Sequence, residues 1–321
     1  MQCKICGQEG GHKSFEVREM MFGLREHFAY FQCARCSCLQ IAEIPADMGR
    51  YYPPTYYSLT QSPNGRTKNP VFKLIKRLRD EYAISNQGII GRLLHRRFPN
   101  EHLRSLAQVE TLSKDSKILD VGCGTGLRLH DLKEMGFANV LGIDPFIAEE
   151  IEYTNGLKIL KKSIHELQQG EWDVIMLHHV LEHMPDPLRV LQSVARLLSP
   201  AGICIIRTPT VSSFAWEHYG VDWVQLDAPR HFFIHSMASM ARLAQQAKMK
   251  LAKTAFDSCD FQFWGSEQCR KDVPLMSERS YFLNRSSVIF SRAQIADFKK
   301  EGERLNAEGR GDSAVFYLSR I

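Results

Sequence analysis

The sequence predicts an α/β fold, in which helices cover both faces of a doubly wound, mostly parallel sheet, and a small metal-held unit at the N-terminus. Two observations predict this organisation: strands and helices alternate from residue 117 onward, and two close pairs of cysteines lie within the first 36 residues. The 321 residues are 44% hydrophobic and 24% charged. This composition is typical of a globular protein and excludes a disordered or fibrous chain.

The alternation consists of short apolar runs, turn residues and segments of helical periodicity. A helix is predicted at 187–198, where a Ser-Pro-Ala-Gly sequence ends it, and less regular helical insertions are predicted at 272–309. No apolar run approaches the roughly 18 residues that span a bilayer, and the first residues lack an apolar signal core, so we expect a cytoplasmic protein. The predicted strands are 117–121, 140–143, 157–160, 173–177, 202–207, 250–256 and 313–318.

The most informative segment joins the first of these strands to a helix through alternating glycines. Gly122, Gly124 and Gly126 allow the main chain to approach a ligand closely, and the helix that follows offers free N–H groups. Leu127 stands where a dinucleotide fingerprint has its last glycine, which disfavours NAD. Asp144, twenty residues beyond Gly124, is placed to accept hydrogen bonds from ribose hydroxyls. The pattern therefore indicates a nucleoside ligand without a diphosphate.

Residues 117–207 resemble class I S-adenosylmethionine-dependent methyltransferases, whose first motif has the form D-x-G-x-G-x-G and whose second is acidic. The resemblance implies a seven-stranded Rossmann-like sheet and S-adenosylmethionine as the methyl donor. Residues after the third strand would border the adenine. The donor-binding residues that the resemblance implies are Asp120, Gly122, Cys123, Gly124, Gly126, Asp144, Pro145, Ser163, Ile164 and His178.

A dense group of polar residues, His178-His179-Val180-Leu181-Glu182-His183, follows the fourth strand. His179, Glu182 and His183 are candidate catalytic residues, because a neutral imidazole can take a proton near pH 7. Two alternatives stay open: the same residues could share a divalent metal, or they could cap the next helix. The segment is similar to the E-x-x-E-H segment of ubiquinone-biosynthesis O-methyltransferases, which is associated with a metal, although His179 replaces the first glutamate. An Asn/Asp-Pro-Pro-aromatic motif is absent, which disfavours nucleic-acid methylation.

Aromatic residues alternate with polar ones between positions 216 and 236. Such a run suits a concave site for a small polar substrate, with Arg230 as a clamp for a phosphate or carboxylate and His231 as a second candidate base. The alternative is a buried aromatic corner whose polar tips bond to the backbone. The run resembles the corresponding region of bacterial methyltransferases linked to glycan and natural-product pathways.

The two cysteine pairs, Cys3-x-x-Cys6 and Cys33-x-x-Cys36, predict a structural zinc ion held by four thiolates. A segment of about 50 residues has little core of its own, so a metal would supply its folding energy. Cys38 is a spare thiol or an alternative ligand, and the alternative to a zinc site is a set of unpaired core cysteines. The arrangement resembles the N-terminal zinc-binding domain of some sugar C-methyltransferases.

We predict three parts: a zinc ribbon at 1–60, a linker and basic helical connector at 61–112, and a methyltransferase core at 113–321. Residues 66–104 carry ten Lys/Arg against three Asp/Glu. This basic segment is either a solvated helix packed on the core or a surface for an anionic partner, namely a diphosphate-linked substrate, acidic lipid or RNA.

The expected activity is transfer of a methyl group to a small polar acceptor. The positive charge of the basic segment would suit an acceptor that is anionic or nucleotide-linked. The acceptor atom would be a hydroxyl, or a carbon, of a sugar, glycan or natural-product intermediate. Two alternatives differ in class: a methyltransferase that modifies RNA or protein, and a non-catalytic scaffold that binds S-adenosylmethionine.

Overall fold

A computed structural model of the chain describes residues 1–53, 69–286 and 289–321, so the predicted boundary at 60/61 and the linker after it lie outside the described residues. The strands are β1 (Lys13–Arg18), β2 (His27–Gln32), β3 (Leu39–Ile41), β4 (Ile118–Val121), β5 (Val140–Ile143), β6 (Ile151–Glu152), β7 (Lys158–Leu160), β8 (Trp172–His178), β9 (Leu198–Pro209), β10 (Phe233–Ile234), β11 (Met249–Phe256) and β12 (Ser313–Arg320). The α-helices are α1 (Pro70–Ser85), α2 (Ile89–Arg97), α3 (Leu127–Glu134), α4 (Pro187–Leu197), α5 (Phe214–Tyr219), α6 (Met237–Gln246), α7 (Phe261–Arg270) and α8 (Arg292–Ala307).

The central sheet has eight strands in the order β11-β12-β9-β8-β4-β5-β7-β6. The five strands from β9 to β7 are parallel, and β12, β11 and β6 run antiparallel to their neighbours. All seven predicted strands are confirmed. The eighth strand, β6, has only two residues, which is too short for a pattern in the sequence to reveal.

The middle of the sheet is buried on both faces, as parallel strands between two helical layers must be. Val174, Ile175, Met176 and Leu177 of β8 are each 1% exposed or less. Strand order reverses beside β4, because the chain next builds β5 on one side and later β8 on the other. Ligands of such folds bind at the carboxyl ends of the strands at this switch point.

A second sheet, called the N-terminal sheet below, joins the N-terminal segment (residues 1–53) to the rest of the chain. Its order is β1-β2-β3-β10, and β10 comes from residues 233–234, far beyond the other three strands in sequence. Phe233 pairs with Gln40, and Ile234 pairs with Leu39. The three-part division stays a prediction, but this sheet crosses the boundary between the first and third parts.

The described part of the basic segment contains α1 and α2, of which α1 starts at an Asn69 cap with Pro70 in its first turn. The irregular C-terminal region contains α8, which begins at the Ser291 cap, and β12 follows it as predicted. Within the described residues, no helix has both the length and the apolar character needed to cross a membrane.

Candidate active site

The glycine turn after β4 depends on glycine for two physical reasons. Gly122, Gly124 and Gly126 have φ angles of +67°, +54° and +78°, which residues with a side chain rarely adopt. A Cβ atom on Gly122 would lie 2.6 Å from Cγ2 of Val180, and one on Gly126 would lie 2.5 Å from Cδ1 of Ile159. The turn is therefore packed against the segment that follows β8 and against β7, with its backbone facing the carboxyl end of the sheet.

Asp144 closes the other side of this turn. Its Oδ2 accepts a hydrogen bond from the Gly124 N–H at 2.9 Å, and its Oδ1 accepts one from the Phe146 N–H at 2.8 Å. Each oxygen retains a second lone pair, so the carboxylate can also accept from ribose hydroxyls. Cys123 and Pro145 flank these contacts in sequence. Phe146, whose N–H donates to Asp144, is 76% exposed. No motif in the sequence singled it out.

Asp120 forms an ion pair with Arg128, which the sequence did not predict. Its Oδ2 accepts from Nη1 of Arg128 at 2.9 Å, and Nε of Arg128 donates to the His102 carbonyl at 3.0 Å. Burial raises the pKa of Asp120, and the charge of Arg128 opposes this rise. The pair fixes the start of α3 to the end of β4, which holds the glycine turn in place.

The remaining predicted donor contacts are occupied by protein partners. The Ser163 hydroxyl donates to Glu166 at 2.7 Å as a helix cap, and Ile164 is buried. His178 lies at the end of β8, with Nε2 3.3 Å from the hydroxyl of Ser105. Contacts of these residues with the donor stay predictions.

His179 turns the chain at the end of β8, with φ of +56°. Its N–H donates to the Arg207 carbonyl at 2.8 Å, its Nδ1 lies 3.2 Å from Oε1 of Glu182, and its Nε2 contacts the guanidinium of Arg207. Arg207 is itself paired with Asp257 at 2.6 Å. Both ring nitrogens of His179 are thus engaged, which suits a residue that positions Glu182.

Glu182, His183 and His231 form the acceptor cluster, in which one ligand atom from each residue lies within 4.8 Å of the others. Oε2 of Glu182 is buried and has no hydrogen-bond partner among the described residues. Nδ1 of His183 lies 2.9 Å from the Arg230 carbonyl, and Nδ1 of His231 lies 2.8 Å from the Gln225 carbonyl. Because a carbonyl only accepts, each Nδ1 carries a proton, so in the neutral form of either ring the lone pair lies on Nε2.

The charge states of this cluster suit proton transfer. Burial raises the pKa of Glu182, but the hydrogen bond to His179 and the nearby imidazoles outweigh it, so the pKa falls below its usual range. Burial, together with the charge of His231, lowers the pKa of His183. At neutral pH the carboxylate is therefore ionised and the His183 imidazole is neutral. The same three residues could hold a divalent metal, in place of the predicted set that included His179.

The prediction that Arg230 clamps a substrate is wrong. Its side chain is fully buried, and Nη2 lies 2.9 Å from Glu19 and 2.6 Å from Asp227. Nη1 donates to the Tyr51 carbonyl at 3.3 Å. All three partners are protein groups, two of them in the N-terminal segment, so Arg230 ties that segment to the loop that carries His231.

Two N-terminal tyrosines reach the acceptor cluster directly. The Tyr30 hydroxyl donates to the His231 carbonyl at 2.8 Å, and the Tyr52 hydroxyl lies 3.2 Å from Nδ1 of His183. These contacts join positions more than 130 residues apart, which no local spacing in the sequence reveals. The N-terminal segment therefore packs directly against His183 and His231.

Four buried cysteines gather at one end of the N-terminal sheet. The Sγ atoms of Cys3 and Cys36 are 3.6 Å apart, and those of Cys6 and Cys33 are 3.5 Å apart. A tetrahedral zinc site with Zn–S bonds of about 2.3 Å has edges of about 3.8 Å, so the donor set and its spacing fit this metal. Cys38 lies outside the cluster, with its Sγ 3.9 Å from Nδ1 of His235.

Comparison with known proteins decides the family. The family model described as "Methyltransferase domain" matches residues 88–253, which is more than half of the chain. The chain belongs to the class I S-adenosylmethionine-dependent methyltransferases. The match begins after β3 and includes the glycine turn, Asp144 and the acceptor cluster but not the four cysteines.

Two curated relatives of this methyltransferase are ubiquinone biosynthesis O-methyltransferases. The protein from Dechloromonas aromatica is 30% identical over 185 residues, which cover 50% of this chain and 78% of the relative. The protein from Maricaulis maris is 32% identical over 129 residues, which cover 36% of this chain and 49% of the relative. The chain therefore spans about half the length of the second relative.

Two solved structures share a distant likeness with the methyltransferase. A putative sarcosine dimethylglycine methyltransferase from Galdieria sulphuraria has a TM-score of 0.44 and 20% identity, covering 73% of this chain and 89% of its own. A Thermotoga maritima S-adenosylmethionine-dependent methyltransferase, a possible histamine N-methyltransferase by its description, has a TM-score of 0.43 and 16% identity, covering 78% and 100%. At these scores the likeness supports no conclusion about the acceptor.

Proposed function

We propose that the chain transfers a methyl group from S-adenosylmethionine to a hydroxyl of a small sugar, glycan or natural-product intermediate. The acceptor cluster carries this proposal, because it combines imidazoles with a buried carboxylate, and Val180 of the same segment packs against Gly122 of the glycine turn. O-methylation is supported further by the curated relatives, which are O-methyltransferases.

The donor supplies an electrophilic methyl group on a sulfonium. Gly122 to Gly126 leave room for its amino-acid end, and Asp144 accepts hydrogen bonds from its ribose. Holding the methyl carbon in line with the acceptor oxygen supplies most of the rate enhancement. The acceptor oxygen forms the new bond to carbon as the carbon–sulfur bond breaks, which leaves a neutral thioether.

The acceptor proton passes to the cluster. His183 is the least buried of the three residues, so its Nε2 receives the proton. Glu182 stabilises the resulting imidazolium, and His179 fixes the Glu182 carboxylate. General-base assistance of this kind contributes about 10²–10⁴-fold to the rate. The N-terminal sheet, which we propose is held by a structural zinc ion, keeps His231 and Tyr52 in place around the acceptor.

Calorimetry with S-adenosylmethionine tests the donor half of this proposal. We expect Asp144→Ala to weaken binding at least tenfold, because a charged acceptor of the ribose hydrogen bonds is lost. Glu152→Ala removes an exposed acid from β6 and serves as the matched control. Equal binding by Asp144→Ala and the control would refute the assigned ribose contact.

Formation of S-adenosylhomocysteine with two panels of acceptors, nucleotide-linked sugars and phenols, tests the acceptor half. Turnover with a sugar hydroxyl and its loss in His183→Asn support the proposal. Turnover with RNA or a protein alone would replace it with the macromolecular alternative.

A further inference from the structure

Helices α1 and α2 turn an apolar surface toward solvent. Of the fifteen large hydrophobic side chains that are exposed among the described residues, eight lie between positions 71 and 98. The periodicity of α1 would normally direct such residues into a core. Their exposed fractions are Val71 61%, Phe72 60%, Leu74 56%, Ile75 41%, Ile89 81%, Ile90 63%, Leu93 62% and Phe98 57%.

The orientation of this surface is set by contacts on the opposite side of the helices. A Cβ atom on Gly91 of α2 would lie 2.5 Å from the Leu78 carbonyl of α1, so the two helices cross in close contact. Nζ of Lys76 pairs with Asp80 at 2.6 Å and with Asp131 of α3 at 2.8 Å. These contacts attach α1 to α3, the helix that follows the glycine turn, and leave the apolar residues exposed to solvent.

Basic residues lie among the apolar ones along α1 and α2. Residues 69–104 carry eight Lys/Arg against three Asp/Glu. Arg92, Arg96 and Arg97 are exposed, and within the described parts of the chain no carboxylate pairs with any of them. Guanidinium groups in this position can bind phosphate oxygens.

We propose that the exposed apolar residues of 71–98 and these three arginines dock the protein on an anionic lipid bilayer. Apolar side chains beside Lys/Arg on a helix surface are typical of helices that lie in the interface of a membrane. A second copy of the chain fits less well, because a two-fold interface would bring Arg92, Arg96 and Arg97 of one copy close to the same positive charges of the other. RNA fits less well, because Ile, Leu and Val side chains offer no hydrogen bond to bases or phosphates.

Sedimentation of the full chain with lipid vesicles tests this proposal. We expect binding to vesicles of phosphatidylcholine and phosphatidylglycerol at a 3:1 ratio, and at least roughly tenfold weaker binding to phosphatidylcholine alone. The double variants Ile89→Ser with Leu93→Ser, and Arg92→Glu with Arg96→Glu, should each weaken binding to anionic vesicles roughly tenfold. All four side chains are exposed, so thermal unfolding should be unchanged.

Matched controls change the same residue types elsewhere. Leu283→Ser removes an exposed leucine and Arg292→Glu reverses an exposed charge at the start of α8, and both should bind as the unmodified chain does. Absence of binding to anionic vesicles, or equal loss in the controls, would overturn the proposal. Light scattering that shows a dimer broken by the Ile89/Leu93 variant would assign the surface to a second copy instead. Tighter binding to RNA than to anionic vesicles, lost in the Arg92/Arg96 variant, would assign it to nucleic acid.

Discussion

The two halves of the proposed active site are built in different ways. The donor half is a continuous stretch from Asp120 to Asp144, and its key contacts are backbone N–H groups and one carboxylate. The acceptor half draws on residues as far apart as Glu19 and His231, joined by buried side chains. A local half depends on glycine conformation, whereas a long-range half depends on the fold of the N-terminal sheet. Variants can therefore damage one half without the other.

The largest expected effect comes from the cysteine cluster. Cys33→Ser should abolish bound zinc and lower the free energy of unfolding by several kcal/mol, because the metal supplies the folding energy of the N-terminal sheet. Metal analysis and chemical denaturation measure the two effects. Cys259→Ser, at an exposed cysteine outside the cluster, should change neither. Zinc near zero in the unmodified protein would contradict the metal assignment.

Arg230→Met should destabilise the protein by about 3–5 kcal/mol, because it leaves Glu19 and Asp227 without their buried cation. Arg18→Met is the control, since Arg18 is partly exposed and its pairs with Asp222 and Asp272 are worth at most about 1 kcal/mol. Denaturant titration compares the two. If S-adenosylmethionine binding fell as strongly as stability in Arg230→Met, the two halves would not be separable.

The same contrast explains what the sequence could reveal. The strands, the glycine turn and Asp144 follow from patterns within a few residues, and the seven predicted strands are present. The burial of Arg230 was not predictable, because Glu19, its partner in the ion pair, lies 211 positions earlier. His179 and His231 were equally plausible bases by sequence. Only the structure shows that both nitrogens of His179 are engaged, whereas Nδ1 of His231 bonds to the Gln225 carbonyl and its Nε2 lies 3.9 Å from Oδ2 of Asp227.

Gly126→Ala should weaken S-adenosylmethionine binding roughly tenfold and destabilise the turn by about 1–3 kcal/mol. The new Cβ would meet Ile159 at 2.5 Å in a backbone with positive φ. Gly136→Ala is a matched control, because φ there is +92° and a Cβ would meet nothing within 4 Å. Calorimetry should show normal donor binding by the control. Equal loss in both variants would mean that backbone strain alone, and not the packing of the turn, controls the site.

The smallest effect is a pH dependence. Burial lowers the pKa of His183, and it lowers that of His235 to about 4. The unfolded chain therefore binds protons more readily, so the free energy of unfolding should fall as pH drops below about 6.5. Each such histidine adds at most about 1.4 kcal/mol per pH unit. NMR titration of the imidazole protons should show both pKa values below 6.5, and His183→Asn should reduce the slope. A stability that is flat from pH 7.5 to 5.5 would contradict these directions.

A crystal structure with S-adenosylhomocysteine most directly tests whether the two halves meet at one reaction centre. We expect the ribose hydroxyls to bond to Asp144 and the sulfur to face Glu182, His183 and His231. A sulfur turned away from those three residues, or a ribose bound elsewhere, would contradict it.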